Sequence, residues 1–119
     1  MKVLKAVNVS KRIEVAARVR VASSLISRAI GLLGTPSLSS DEGLWIAPCK
    51  AVHTFFMRYP IDIATLDKNG RVLSHSTLRP WRTSHWEPQA HSVLELAAGT
   101  LTRTRTVVGD QITFEGTAN

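Results

Sequence analysis

A single cysteine, Cys49, stands in a chain of 119 residues. No intramolecular disulfide can form, and nothing calls for an oxidising compartment. Long apolar runs are missing as well, since none approaches the roughly 20 residues that a membrane-spanning helix needs. The opening stretch MKVLKAVNVSKRIEV has no continuous apolar segment followed by a small-residue cleavage site. It does not read as a signal peptide, and a cytoplasmic protein is expected. Repeats, linkers and low-complexity tracts are absent. So are the closely paired cysteine and histidine spacings of zinc sites, so neither a metal nor another cofactor is expected. Acidic residues are scarce at one end. Before residue 29, Lys2, Lys5, Lys11, Arg12, Arg18, Arg20 and Arg28 face only Glu14. Such a basic stretch could attract nucleic acid. No aromatic residue is interleaved with these charges as single-strand binding would require, and no fold-specific nucleic-acid motif is present. A solvated edge is the simpler reading.

What remains is ample for a core. The chain is 44% hydrophobic and 20% charged, and one domain of this size buries roughly two thirds of its unfolded surface. A single domain over residues 1–119 is expected. Strand signals dominate. Ile13, Val15, Ala17, Val19 and Val21 alternate with Glu14, Ala16, Arg18 and Arg20, as a half-buried strand would. Shorter strands are expected over 3–9, 44–47, 71–78, 91–96 and 111–115. Ser23 or Ser24 can cap one main helix over about 24–33, with Leu25, Ile26, Ala29, Leu32 and Leu33 as its apolar stripe and Gly34 closing it. Gly31 inside that helix implies close approach of another backbone. Asn69-Gly70 is a hairpin signal, while Arg79 to Ala90, with two prolines and two tryptophans, is a long ordered loop. The fold class expected is α+β: a strand-dominated, mainly antiparallel, barrel-like sheet with one main helix.

The densest chemistry lies in PCKAVHTFFMRYPIDIATLD, residues 48–67. Taken as two strands joined at Tyr59-Pro60, it would put Cys49, Ala51, His53, Phe55 and Met57 on one face. Lys50, Val52, Thr54, Phe56 and Arg58 would share the other. An arrangement of that kind suits a wall between core and pocket.

Several short motifs recur in one order: Arg28-x-x-Gly31-Leu32, Glu42-Gly43-Leu44, Pro48-Cys49, His53-Thr54-x-x-Met57, Pro60-Ile61-Asp62 and Leu66-Asp67. Gly70-Arg71-Val72, Pro80-Trp81-Arg82, Val93-Leu94-Glu95-Leu96, Gly99 and Gly109-Asp110 follow. In this order, from about residue 8 to 110, the chain resembles the small prokaryotic family called domain of unknown function 192. The resemblance implies a compact, mostly β domain with one main helix, and no established activity. Many members of that family carry an export signal, which is not seen here.

Three kinds of chemistry can be drawn from these residues. A metal could use Cys49 and His53 with His85 or His91. Residues four apart on a strand, however, are roughly 13 Å apart, too far to share an ion. A small hydrolase could use Cys49 as nucleophile, His53 as base, and Asp62 or Glu95 to orient it. A non-catalytic binding or accessory domain could gather His53, Thr54, Met57, Arg58, Asp62, Trp81, Arg82 and Glu95 around a polar-aromatic pocket. There Trp81 and Trp86 would stack on a planar or sugar ring, while Arg58 and Arg82 would hold a carboxylate or phosphate. A small anionic or sugar-like ligand follows. Nucleic acid is disfavoured as a partner, and oligomeric state is left open. Glu95 shares a face with Val93; if buried it needs a partner, for which Arg28 and His53 are the candidates.

Overall fold

The computed structural model describes residues 2–116, and of Leu25 and Ile26 the backbone alone. Seven strands form one sheet: β1 (Val3–Asn8), β2 (Ile13–Ala22), β3 (Glu42–Ile46), β4 (Ile61–Leu66), β5 (Val72–Leu78), β6 (Ser92–Ala97) and β7 (Ile112–Gly116). Their order is β5-β4-β6-β3-β2-β1-β7. Every neighbouring pair is antiparallel except β2 and β3. The sheet curls into a half-barrel, and a bridge between Arg71 and Gln111 brings its two ends together. The α+β, strand-dominated architecture expected from the alternating pattern is the one that forms.

At the closure, Gly70 sits in the β4–β5 turn with φ +83, and a Cβ there would collide with the Ile112 carbonyl oxygen. The bare backbone instead meets β7 directly, Ile112 N–H donating to the Gly70 carbonyl at 2.9 Å. Only glycine meets both demands. Beside this seam, Asn8 is fully buried and donates to Asp110 (2.9 Å) and Thr106 (3.0 Å). Lys11 reaches the same carboxylate at 2.7 Å.

Strand parity divides the core. One face carries Val19, Ala64, Leu66, Leu94, Leu96 and Ile112, with Trp45 and Phe114 packed beside them. The opposite face carries Leu44, Ile46, Ile61, Ile63 and Val93, and is covered by Leu32, Met57, Cys49 and Val52. That cover follows from topology. A parallel pair requires a crossover, and residues 23–41, which join β2 to β3, bring the helix α1 (Leu25–Ile30) over this face.

Two local expectations are corrected. The helix is shorter than 24–33. Ser24 caps it through a reciprocal box with Ser27, as a serine there should, but the chain leaves the helix at Gly31 rather than Gly34. Gly31 has φ +53, and an added Cβ would meet nothing closer than 3.8 Å. Backbone conformation, not close packing, therefore explains this glycine. Leu32 alone of the described members of the stripe is buried; Ala29 and Leu33 are exposed.

The run Cys49–Arg58 is not a strand. It has no sheet neighbour and bonds to the loop over 79–84: Thr54 N–H donates to the Arg82 carbonyl (2.8 Å), Trp81 N–H to Thr54 (2.9 Å) and Ser84 N–H to Val52 (2.9 Å). A β-bridge between His53 and Thr83 is all that is ladder-like in it. A turn then reverses the chain, Met57 N–H donating to the Thr54 carbonyl at 3.2 Å. Burial here follows the packing of one loop on another, with Thr54 and Met57 buried and His53, Phe55 and Phe56 exposed. The second expected strand of this region is β4. The short α2 (Thr100–Arg103) follows β6.

Candidate functional site

Between the end of α1 and the 49–57 loop lies a cleft of about 80 Å³, lined by Arg28, Gly31, Leu33, Cys49, His53 and Met57, with Glu95 at its floor. The sheet places Glu95 there. In β6 it stands opposite Leu44 of β3 and Ile63 of β4, among the apolar side chains of the covered face. It is 3% exposed. No described residue hydrogen-bonds its carboxyl group, and burial alone pushes its pKa up to about 8. An unpaired carboxylate in such surroundings loses more hydration than it regains, so the neutral acid is the stable form at neutral pH. Neither expected partner reaches it. The Arg28 guanidinium donates to the carbonyls of Pro48 (3.0 Å) and Ser24 (3.4 Å). The His53 Nδ1 accepts from the Phe55 amide at 3.1 Å.

The other candidates disperse. Asp62 lies on the opposite face of the sheet, where its register partner is Leu96 while Ile63 faces Glu95. Its carboxylate accepts from Thr77 Oγ1 (2.6 Å), Leu101 N–H (2.9 Å) and Gly99 N–H (3.1 Å). His53 and Asp62 therefore share no hollow, and the pocket expected beside the two does not form. Thr54 is a buried clasp, donating to the Arg79 carbonyl (2.6 Å) and accepting from Arg82 N–H (2.9 Å). Met57 belongs to the core and also to the cleft wall. Arg58 lines a neighbouring groove, and Arg82 donates to the Trp81 carbonyl at 3.3 Å. The paired arginines expected to grip an anion do not line the cleft. Trp86 is exposed and lines none of the hollows described here.

Cys49 and His53 both line the cleft without meeting. The Cys49 thiol donates to the Ala51 carbonyl at 3.1 Å, and burial raises its pKa, with Glu95 adding to the rise and Arg28 opposing it. A nucleophilic cysteine needs the reverse. Ellman's reagent at pH 8 is expected to label Cys49 at least about fivefold more slowly than glutathione, as its lower thiolate fraction requires. Labelling faster than glutathione would restore the hydrolase reading. Among the described residues, no three His, Cys, Asp or Glu side chains gather as metal ligands would. In the basic N-terminal stretch Lys5, Lys11 and Arg18 are already paired, with Glu115, Asp110 and Asp41. No helix among the described residues is long and apolar enough to cross a membrane.

Two features escaped the sequence reading. Phe55, Phe56 and Trp81 form an exposed aromatic cluster, with ring centroids 4.6 Å apart for Phe56–Trp81 and 6.0 Å for Phe55–Trp81. Both Phe56 (φ 67) and Trp81 (φ 64) adopt left-handed backbone, which bulky residues rarely do. The adjacent Phe-Phe pair was the available signal, but alternation assigned its members to opposite faces. Trp45 was not singled out either. Its ring stacks on Phe114 at 3.8 Å, at the edge of a hollow of about 530 Å³ at the open end of the half-barrel. Its buried indole N–H has no partner among the described residues.

Comparison with known proteins adds the following. Residues 6–114 match the family DUF192, described as Uncharacterized ACR. A UPF0127 protein of Pyrococcus horikoshii is 34% identical over 111 residues, which are 89% of this chain and 95% of that protein. One from Pyrococcus abyssi is 31% identical, covering 89% and 93%. Among solved structures, a Sinorhizobium meliloti 1021 protein provisionally described as a transcription regulator superposes with a TM-score of 0.78 at 20% identity, over 95% of this chain and 92% of its own. A protein of unknown function from Novosphingobium aromaticivorans gives 0.73 at 18% identity, over 93% and 83%. These two likenesses concern the fold alone.

Proposed function

We propose that this chain, which belongs to the DUF192 family, is a non-catalytic binding domain whose ligand site is the cleft floored by Glu95. One observation carries the reading: a nearly buried carboxyl group with no partner faces a cavity. Groups of that kind collect at functional sites, because burial without pairing is otherwise selected against. Of the two ligand classes drawn from the sequence, the anionic one is better supported than the sugar-like one. As a neutral acid Glu95 offers an O–H donor to an incoming carboxylate, and Arg28 on the rim supplies the positive charge. At about 80 Å³ the cleft is far below the 300–1,000 Å³ of sites that enclose a whole ligand. It takes a carboxylate-sized group.

Amide NMR spectra recorded during titration with sodium acetate, and separately with methyl glucoside, test this. Acetate is expected to shift the Gly31, Cys49 and Glu95 amides with a Kd on the order of millimolar, as so small a ligand allows. The variant Glu95→Leu, which fills the floor with apolar atoms, should lose the response. Shifts spread over the surface, or unchanged in that variant, would remove the site.

A further inference from the structure

We infer that the carboxylate received by this cleft is the free C-terminus of a polypeptide, whose last apolar side chains lie on the shelf formed by Leu33, Phe56 and Trp81. The inference rests on the binding reading above and adds the partner. A second hollow adjoins the cleft at its rim. Leu33 and Met57 line both the cleft and this groove of about 260 Å³, whose far wall includes Phe56 and Tyr59. An occupant headed by a carboxylate can extend from the cleft over Leu33 and Met57 toward this groove.

Cleft and groove are bordered by apolar surface that the described residues leave exposed. Ile30 is 51% exposed, Leu33 42%, Phe56 73% and Trp81 54%. Exposed apolar residues grouped in this way mark contact with another molecule. Phe56 and Trp81 are also held outward against backbone preference, and the buried Thr54 clasp anchors the loops that carry them. Charge points the same way. The net charge is +6, Arg28 stands at the mouth, and the acid at the floor repels no anion while it keeps its proton. An open groove of this kind suits an extended backbone better than an alkyl chain, which would leave much of its length in water. Capture of a chain terminus by a fixed polar cleft, with side-chain pockets alongside, is a recurrent mode of peptide recognition.

The test uses acetylated tetrapeptides ending in Leu, Phe or Val, each as free acid and as C-terminal amide, with octanoate and acetate as further probes, read by calorimetry and amide NMR. Free-acid peptides are expected to bind at least about tenfold more tightly than their amides and than acetate or octanoate. Trp81→Ala or Phe56→Ser should remove that advantage while leaving acetate binding unchanged; both rings are exposed, so neither change opens the core. Arg28, Cys49, His53 and Tyr59 are the titratable or charged groups around Glu95. Repeating the pH series in Cys49→Ser and His53→Gln isolates the Glu95 contribution, which should weaken free-acid binding as pH rises through about 8. If acetate binds at the cleft but peptides gain nothing over it, the peptide inference fails and the ligand site stands. If octanoate outbinds the peptides, the partner is a lipid acid and the inference fails. Binding that strengthens with pH and prefers a basic side chain overturns both, as does no response to any carboxylate.

Discussion

Glu95→Gln is expected to stabilise the fold by about 4 kcal/mol at pH 8 and by less than about 1 kcal/mol at pH 5. The unfolded chain releases the Glu95 proton near its ordinary value of 4.5, whereas the folded chain holds it to about 8. Between those two values the unfolded state binds fewer protons, so stability falls as pH rises, by up to about 1.4 kcal/mol per pH unit. Below 4.5 both states are protonated and the penalty vanishes; above 8 both are ionised and it is complete. Glutamine matches the neutral acid in shape and never ionises, so it removes the slope. Urea unfolding of both proteins at pH 5 and pH 8 reads the result directly. Parallel curves with no pH-dependent gap would show that the carboxyl group is paired or hydrated after all. A group that weakens its own fold at neutral pH is what a binding site, rather than a structural brace, would retain.

Asp62→Ala should be the mirror case, destabilising the fold by about 3 kcal/mol with no effect on acetate binding. Asp62 is 2% exposed and each of its oxygens is engaged, by Thr77 on one side and by the backbone at the start of α2 on the other. Removing it leaves the Gly99 and Leu101 N–H groups without their acceptor, the second of them buried, and opens a cavity. Asp62→Asn keeps the volume and part of the bonding, so it should fall in between. Unfolding midpoints of the two variants, read beside an acetate titration, decide the matter. Loss of acetate binding in a folded Asp62→Asn protein would return this residue to the site.

The contrast between these two acids marks what was legible in the sequence. Each sits in an apolar strand, and spacing alone cannot say that they face opposite ways. That follows from the β4–β6 register, Asp62 against Leu96 and Ile63 against Glu95, which is fixed by contacts far apart in sequence. Features set by neighbours were readable: the existence of β2, the Ser24 cap and the Gly70 turn. The bulged pairing of β2 with β1 nevertheless buries Ala16 and Ala22 where strict alternation put Ala17 and Val21 inside. The segment from Cys49 to Arg58 misled because it is a loop laid against another loop, whose burial follows those contacts and not a strand's two faces. Cys49, His53, Met57 and Glu95 do meet at one cleft, together with Arg28. Thr54, Arg58, Asp62, Trp81 and Arg82 hold the surrounding frame or line its neighbouring grooves and surface.

The short seam at Gly70–Val72 and Gly109–Ile112 leaves the half-barrel a bracelet fastened at one place. Past that seam the outer margins of β5 and β7 have no mutual pairing among the described residues, and such margins invite a foreign strand to dock and lengthen the sheet. His75, Ser76 and Thr77 stand exposed along one margin, and Glu115 on the other is joined to Lys5. Polar and charged side chains make both poor templates, so the bracelet can stay partly unfastened without becoming adhesive.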